Sequence, residues 1–268
     1  MKEKSRYKLI LIILIVFVFA LNYSFIDSFL IEFLDSSESG VVERVIDGDT
    51  IKINGTSVRL LGINTPEKGE EYSEKATEFL KQRTLNKTVF LEFGKEKKDF
   101  YGRKLAYIIL NNENINLEIV EKGLANPYFL KGKTKYYSEF FNKWEECVNE
   151  NIKNSLCENS QDACKECLFV EQIDINKQEV IIKNDCSRKC NISKWSVKDE
   201  GRKNYVFPKN SFINSKSKIN LIVDKTKEKQ DVFGKDYYWH SSTYVWTRTG
   251  DTLFLRDSEG KLVLWENY

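Results

Sequence analysis

From Val41 the chain alternates apolar and polar positions in short runs. "VVERVIDGDTIKI" and "SVRLLGI" repeat with the period of half-buried strands, and Asn54-Gly55 between them is a hairpin turn signal. "EEYSEKATEFLKQRTL" changes period: Ala76, Phe79 and Leu80 fall on one side of a helix. "TVFLEF" and "RKLAYIIL" predict two more strands, "NINLEIVEKGLA" a helix closed near Gly123, and "KYYSEFFNKWEECVNENIKNSL" a longer amphipathic helix. Five short strands with helices among and after them predict an α+β domain over 40–157, a small barrel of the oligonucleotide-binding (OB) kind. A polar, cysteine-bearing linker at 158–167 follows. Then "CLFVEQIDI", "EVIIKN", "NISKWSV", "INLIVD", "TLFLRD" and "KLVLWEN" are strand-like and separated by turn residues, which predicts an all-β sandwich over 168–268.

The other end of the chain is apolar without period. Leu9 to Ile26 carries no charge and is near the length that crosses a bilayer. Lys2, Lys4, Arg6 and Lys8 in the tail 1–8 precede it, and Asp27, Glu32, Asp35 and Glu38 follow in the linker 27–39. That asymmetry predicts a transmembrane helix with its N-terminus in the cytoplasm and the rest outside, or a signal peptide and a secreted product. Charge is otherwise balanced, with 42 basic and 40 acidic residues and a net charge of +2, so any nucleic-acid site is a local patch. The single histidine, His240, excludes histidine metal clusters. Hydrolytic chemistry here rests on carboxylates, arginines and a metal held by oxygen.

Asp47 and Asp49 flank Gly48, two residues apart and on one face of a strand. Like charges so placed repel unless a cation lies near, although Asp-Gly by itself is a common exposed turn. "VRLLGINTPE" adds Arg59 and Glu67, and "DFYGRKLAYIIL" adds Arg103. Together these residues suit phosphodiester hydrolysis. A hard cation on Asp49 neutralises phosphate, a glutamate accepts the proton of an attacking water, and two arginines donate paired hydrogen bonds to phosphate oxygens.

"VIDGDTIKI", "VRLLGINTPE", "DFYGRKLAYI" and "EKGLANPY" occur in an order and spacing that resembles the staphylococcal nuclease (thermonuclease) family over about 41–157. The resemblance implies an OB barrel, calcium as cofactor, and cleavage of single-stranded DNA and RNA by a monomer. It implies Asp49 as a calcium ligand with Asp47 nearby, the Thr65 carbonyl as a further ligand, and Glu67 as general base. Arg59 and Arg103 would bind the scissile phosphate, and Tyr101 would sit beside the nucleotide. Two departures stand out. Asn64 occupies a position that is usually a metal-ligating aspartate in the family, so weaker calcium affinity is expected and Asn64→Asp should tighten it. The loop after Gly123 differs as well, with Tyr128 the candidate for nucleotide stacking. A non-catalytic nucleic-acid-binding or surface adhesion module is the alternative.

"EVIIKN", "NISKWSV", "YVFP" and "TGDTLFLRDSEGKLV" resemble the lamin-tail domain family, an immunoglobulin-like sandwich that serves as a binding or positioning module. Trp195 and Trp246 are expected in its core, and Asp251 and Asp257 in its turns. If Asn176-Lys177 makes a two-residue turn, Cys167 falls opposite Cys186 and Cys164 near Cys190, leaving Cys147 for Cys157. The last pair requires the long helix to end near Asn154, because ten helical residues rise about 15 Å. A four-thiolate zinc site is the alternative to nested disulfides.

Overall fold

The computed structural model describes residues 7, 11–12, 14–15, 17, 37–129, 131–227 and 232–268. The expected membrane segment lies largely outside these residues. Those of its positions that are described (Leu11, Ile12, Leu14, Ile15 and Phe17) are helical and exposed. Among the described residues no helix is long and apolar enough to cross a membrane.

Five strands close the barrel: β1 (Ser37–Asp47), β2 (Thr50–Ile53), β3 (Thr56–Leu60), β5 (Thr88–Lys98) and β6 (Lys104–Leu110). They run β3-β2-β1-β5-β6, and a parallel β3–β6 pairing completes the ring. Asn54 and Gly55 both have positive φ at the predicted β2–β3 hairpin. Ser37–Ser39, expected as linker, are strand instead, and with Gly40 they pair with β5 from Ser37↔Glu92 to Gly40↔Val89. β5 outruns its apolar core, and its backbone groups take these polar residues as partners.

Short strands β4 (Ile63–Asn64) and β8 (Asn126–Pro127) pair with each other beside the barrel mouth. Short β7 (Glu113–Asn114) leads into the helix α2 (Ile115–Glu121), and α1 (Ser73–Thr84) lies between β4 and β5. In α1, Ala76 and Leu80 are fully buried and Phe79 packs beside them. Asn114 caps α2 by accepting from the Asn116 and Leu117 amides. α3 (Tyr137–Glu150) buries Phe140, Trp144 and Cys147, and ends at Asn151 in a left-handed conformation. It stops earlier than its amphipathic pattern predicts, which lets the chain return and join Cys147 to Cys157.

The second half forms two main sheets around its own core. One runs β16 (Val232–Phe233), β17 (Asp236–Trp239), β15 (Ser217–Val223), β10 (Glu179–Asn184), β9 (Leu168–Asp174). The other runs β13 (Asn204–Val206), β12 (Ser196–Lys198), β18 (Thr252–Arg256), β19 (Leu262–Asn267). A two-stranded piece joins β11 (Cys190–Asn191) to β14 (Phe212–Ile213). Trp195 and Trp246 are core residues, as expected. Asp257 organises a turn by accepting from the Glu259 and Lys261 amides. Disulfides join Cys164 to Cys190 and Cys167 to Cys186, which is the nested pairing.

The two halves share packing. Phe254 and Leu262 of the second half belong to the barrel's apolar cluster. Trp144 meets Phe254 edge-on at 5.4 Å, and Phe141 stacks on Trp265 at 6.2 Å. Lys261 reaches the Glu158 carboxylate at 2.9 Å and the Tyr72 hydroxyl at 3.0 Å. This contact fixes which sandwich residues face the barrel mouth.

Candidate active site

The β1–β2 turn presents Asp47-Gly48-Asp49 at the barrel mouth. A side chain at Gly48 would meet the Thr65 hydroxyl and the Ala76 methyl at 2.8 Å, so only glycine lets Thr65 approach. Thr65 then donates to Asp49 Oδ2 from its amide at 3.1 Å and its hydroxyl at 2.9 Å. Asp49 Oδ1 receives Arg59 Nε at 3.1 Å and the Thr50 hydroxyl at 3.1 Å. Arg59 lies on β3 opposite Thr50, and also donates to the Leu60 carbonyl at 2.7 Å and to Asn64 Oδ1 at 3.3 Å. Asp49, Arg59, Asn64 and Thr65 are all buried and directly linked. Asp47 stands at the rim and accepts from the Asp49 amide at 3.1 Å. Its carboxyl is held above the ordinary range, first by desolvation and then by the Asp49 carboxylate.

The remaining predicted residues lie further out. Arg103 immediately precedes β6, two residues before Leu105, the strand partner of Arg59. Its guanidinium is held by Asp99 at 2.7 Å and lies 5.6 Å from the centre of the Tyr101 ring. Desolvation would raise the Asp99 carboxyl, but the hydrogen bonds and charge of Arg103 hold it below its ordinary value. Tyr101 is 82% exposed, a ring open to solvent. Tyr128 is half-buried and donates its amide to the Gly62 carbonyl at 3.0 Å. Its hydroxyl is pushed up by burial, with Arg59, Glu200, Asp199 and Arg202 all acting on it. The structure therefore joins Asp49, Arg59, Asn64 and Thr65 directly, while Arg103 and Tyr101 form a separate pair in the turn between β5 and β6.

The sandwich reaches this site, which the sequence pattern did not reveal. Asn64 Nδ2 donates to the Gly201 carbonyl at 2.8 Å and to the Glu200 carbonyl at 3.3 Å. Glu67 pairs with Arg202 Nε at 2.7 Å. Glu200 Oε1 accepts from the Phe129 amide at 3.0 Å. Asp251, expected as a turn residue, is buried and accepts from the Glu200 and Thr252 amides. It holds the loop 199–202 against the barrel. Three buried carboxyls collect behind that loop. Desolvation is the leading cause for each, and Glu200 rises to about 8, Asp251 to about 7 and Asp199 to about 6. Coulombic repulsion from Asp251 adds to the Glu200 shift, and repulsion from Asp199 adds to that of Asp251.

The donors at the mouth suit a hard cation. Asp47, Asp49 and Asn64 offer oxygen, and Asp47 and Asp49 repel each other. Asn126, the strand partner of Asn64, has a buried side-chain oxygen with no hydrogen-bond partner. In a directly opposed pair the two side chains share a face, so this oxygen lies beside Asn64.

A closed five-stranded barrel with helices, an arginine–carboxylate cluster at its mouth and a neighbouring arginine–tyrosine pair defines a class: OB-like barrel domains with a charged site at the mouth. The chain belongs to the staphylococcal nuclease family, matching the family described as Staphylococcal nuclease homologue over residues 57–154, and its second half matches Lamin Tail Domain over 163–268. It is 41% identical over 109 residues to a thermonuclease of Staphylococcus intermedius, covering 37% of this chain and 65% of that protein. It is 34% identical over 154 residues to an uncharacterized protein of Methanocaldococcus jannaschii, covering 45% and 73%. An endonuclease of Bacillus subtilis is 35% identical over 111 residues, covering 37% and 53%. The chain thus spans somewhat less than two thirds of the staphylococcal thermonucleases it matches, 65% of one and 62% of another.

Proposed function

We propose that this protein is a calcium-dependent nuclease that hydrolyses phosphodiester bonds of single-stranded DNA and RNA, acting as a monomer at the outer cell surface. The observation that carries the reading is the linked set Asp49, Arg59, Asn64 and Thr65 at the mouth of a barrel whose relatives include thermonucleases. Calcium held by Asp47, Asp49 and the Asn64 oxygen would supply charge neutralisation at the phosphate. Glu67 takes the proton of the attacking water. Arg59 and Arg103 donate to the phosphate oxygens as charge builds. Tyr101 and Tyr128 flank the nucleotide. Three disulfides support placement in an oxidising compartment, in keeping with a membrane anchor or secretion signal at the N-terminus.

The test is cleavage of a single-stranded oligonucleotide across a calcium titration, by the wild type and by Glu67→Gln. Calcium-dependent cleavage that falls by about a hundredfold or more in the variant is expected, the usual scale for general base catalysis. No cleavage at millimolar calcium refutes the reading. The neutral Asn64 and the engagement of Glu67 by Arg202 favour a second reading, a module that binds nucleic acid without cutting it. Tight binding with no turnover would select it.

A further inference from the structure

The sandwich lends the cleft a charged loop, Lys198-Asp199-Glu200-Gly201-Arg202-Lys203. Its base is pinned. The Glu200 and Gly201 carbonyls hold Asn64, the Glu200 carboxyl holds the Phe129 amide, and the Glu200 amide is held by Asp251. Lys198 pairs with Glu70 at 3.4 Å, and Lys203 hydrogen-bonds the Tyr244 carbonyl. The tip is different. The Arg202 side chain is 69% exposed, and so is reached by solvent on most sides, and it meets Glu67, itself 48% exposed.

An ion pair so open to water contributes little to stability. A phosphodiester offers the same guanidinium two oxygens with matching geometry, so exchange from carboxylate to phosphate costs little. Both Arg202 and Arg59 act electrostatically on the Tyr128 hydroxyl.

We propose that Arg202 is a phosphate-binding residue supplied by the sandwich, leaving Glu67 for a phosphodiester of the bound strand next to the one being cleaved. Arrival of the strand thereby frees the Glu67 carboxylate, and strand contact extends across the boundary between the two halves. The identity of the ligand, a single-stranded polynucleotide, rests on the nuclease reading.

The test measures binding without turnover, in the full chain carrying Glu67→Gln, using a fluorescent ten-nucleotide oligo-dT and anisotropy from 0.05 to about 0.5 M salt. Arg202→Ala and Arg202→Lys are compared with this background, and equal melting temperatures establish that both fold. Loss of one strand phosphate contact makes the slope of log affinity against log salt shallower by about 0.7. The advantage of Arg202 over Ala therefore shrinks about fivefold for each tenfold rise in salt, and Arg202→Lys keeps the full slope. An unchanged slope in Arg202→Ala overturns the proposal, whether affinity is unaltered or falls equally at every salt. Absence of oligo-dT binding at low salt overturns it too. Turnover by the wild type is measured separately. A shallower slope with no wild-type turnover leaves Arg202 as a phosphate ligand and removes only the hydrolytic reading.

Discussion

Asn64→Asp separates two accounts of why an amide stands at this position. If Asn64 were only a weakened metal ligand, a carboxylate there would tighten calcium and leave the metal-free protein as stable as before. The structure gives the amide a second task, because its Nδ2 donates at 2.8 Å to the Gly201 carbonyl and at 3.3 Å to the Glu200 carbonyl. A carboxylate cannot donate and would face both carbonyls. Losing one good and one long hydrogen bond costs about 1–2 kcal/mol. Burying a carboxylate against unpaired acceptors adds about 1–3 kcal/mol, partly offset by Arg59 Nη2, which lies 3.3 Å from the side-chain oxygen. The expected net destabilisation is about 2–4 kcal/mol, a fall in melting temperature of roughly 5–15 °C. Differential scanning calorimetry in chelator reads it directly. Calcium added to the variant should restore part of the loss, since a cation between this position and Asp49 neutralises the new charge. A melting temperature in chelator equal to or above that of the wild type would refute the docking role of Asn64.

Two further outcomes follow from the second half. Glu200 is raised from its ordinary 4.5 to about 8 by burial and by Asp251, so the folded chain keeps a proton the unfolded chain has released. Stability must then fall as pH rises between those values, and Glu200→Gln, which cannot ionise, should melt above the wild type at pH about 8.5 and level with it at pH about 5; equal behaviour at both pH values would show that Glu200 ionises freely. Replacing Cys164 and Cys190 together by alanine opens a 26-residue separation and should cost about 2–4 kcal/mol in a denaturant titration, while a loss below 0.5 kcal/mol would mean that the neighbouring Cys167–Cys186 bridge suffices.

Local sequence was enough for everything that depends on local spacing. Alternation and the Asn54-Gly55 turn determined the β2–β3 hairpin, and helical spacing placed α1 with Ala76 and Leu80 inward. The β9–β10 hairpin carried Cys167 to the neighbourhood of Cys186, but its connection is the four residues 175–178 and not a two-residue turn at Asn176-Lys177, and a register shift between Ile181 and Ile182 sets Cys167 beside Asp185, one residue short of Cys186. The Asp-Gly-Asp turn, Arg59 and Glu67 were legible as a set because they come from adjacent strands and one short loop. The end of α3 was legible only through the cysteines: its amphipathic pattern continues past Asn151, and pairing Cys147 with Cys157 requires a stop near Asn154, which the structure places at Asn151. The role of the loop 199–202 was not legible. Nothing in its own residues points at Asn64, which lies more than a hundred positions away in the chain. The packing of Trp144 and Phe141 against Phe254 and Trp265, with the Lys261 contacts to Glu158 and Tyr72, sets the second half so that Gly201 and Arg202 meet the barrel mouth. An amide that looks like a missing charge in the sequence is, in three dimensions, a donor matched to two carbonyls. Hydrogen bonding between distant segments is set by how whole domains pack, and no local pattern encodes it.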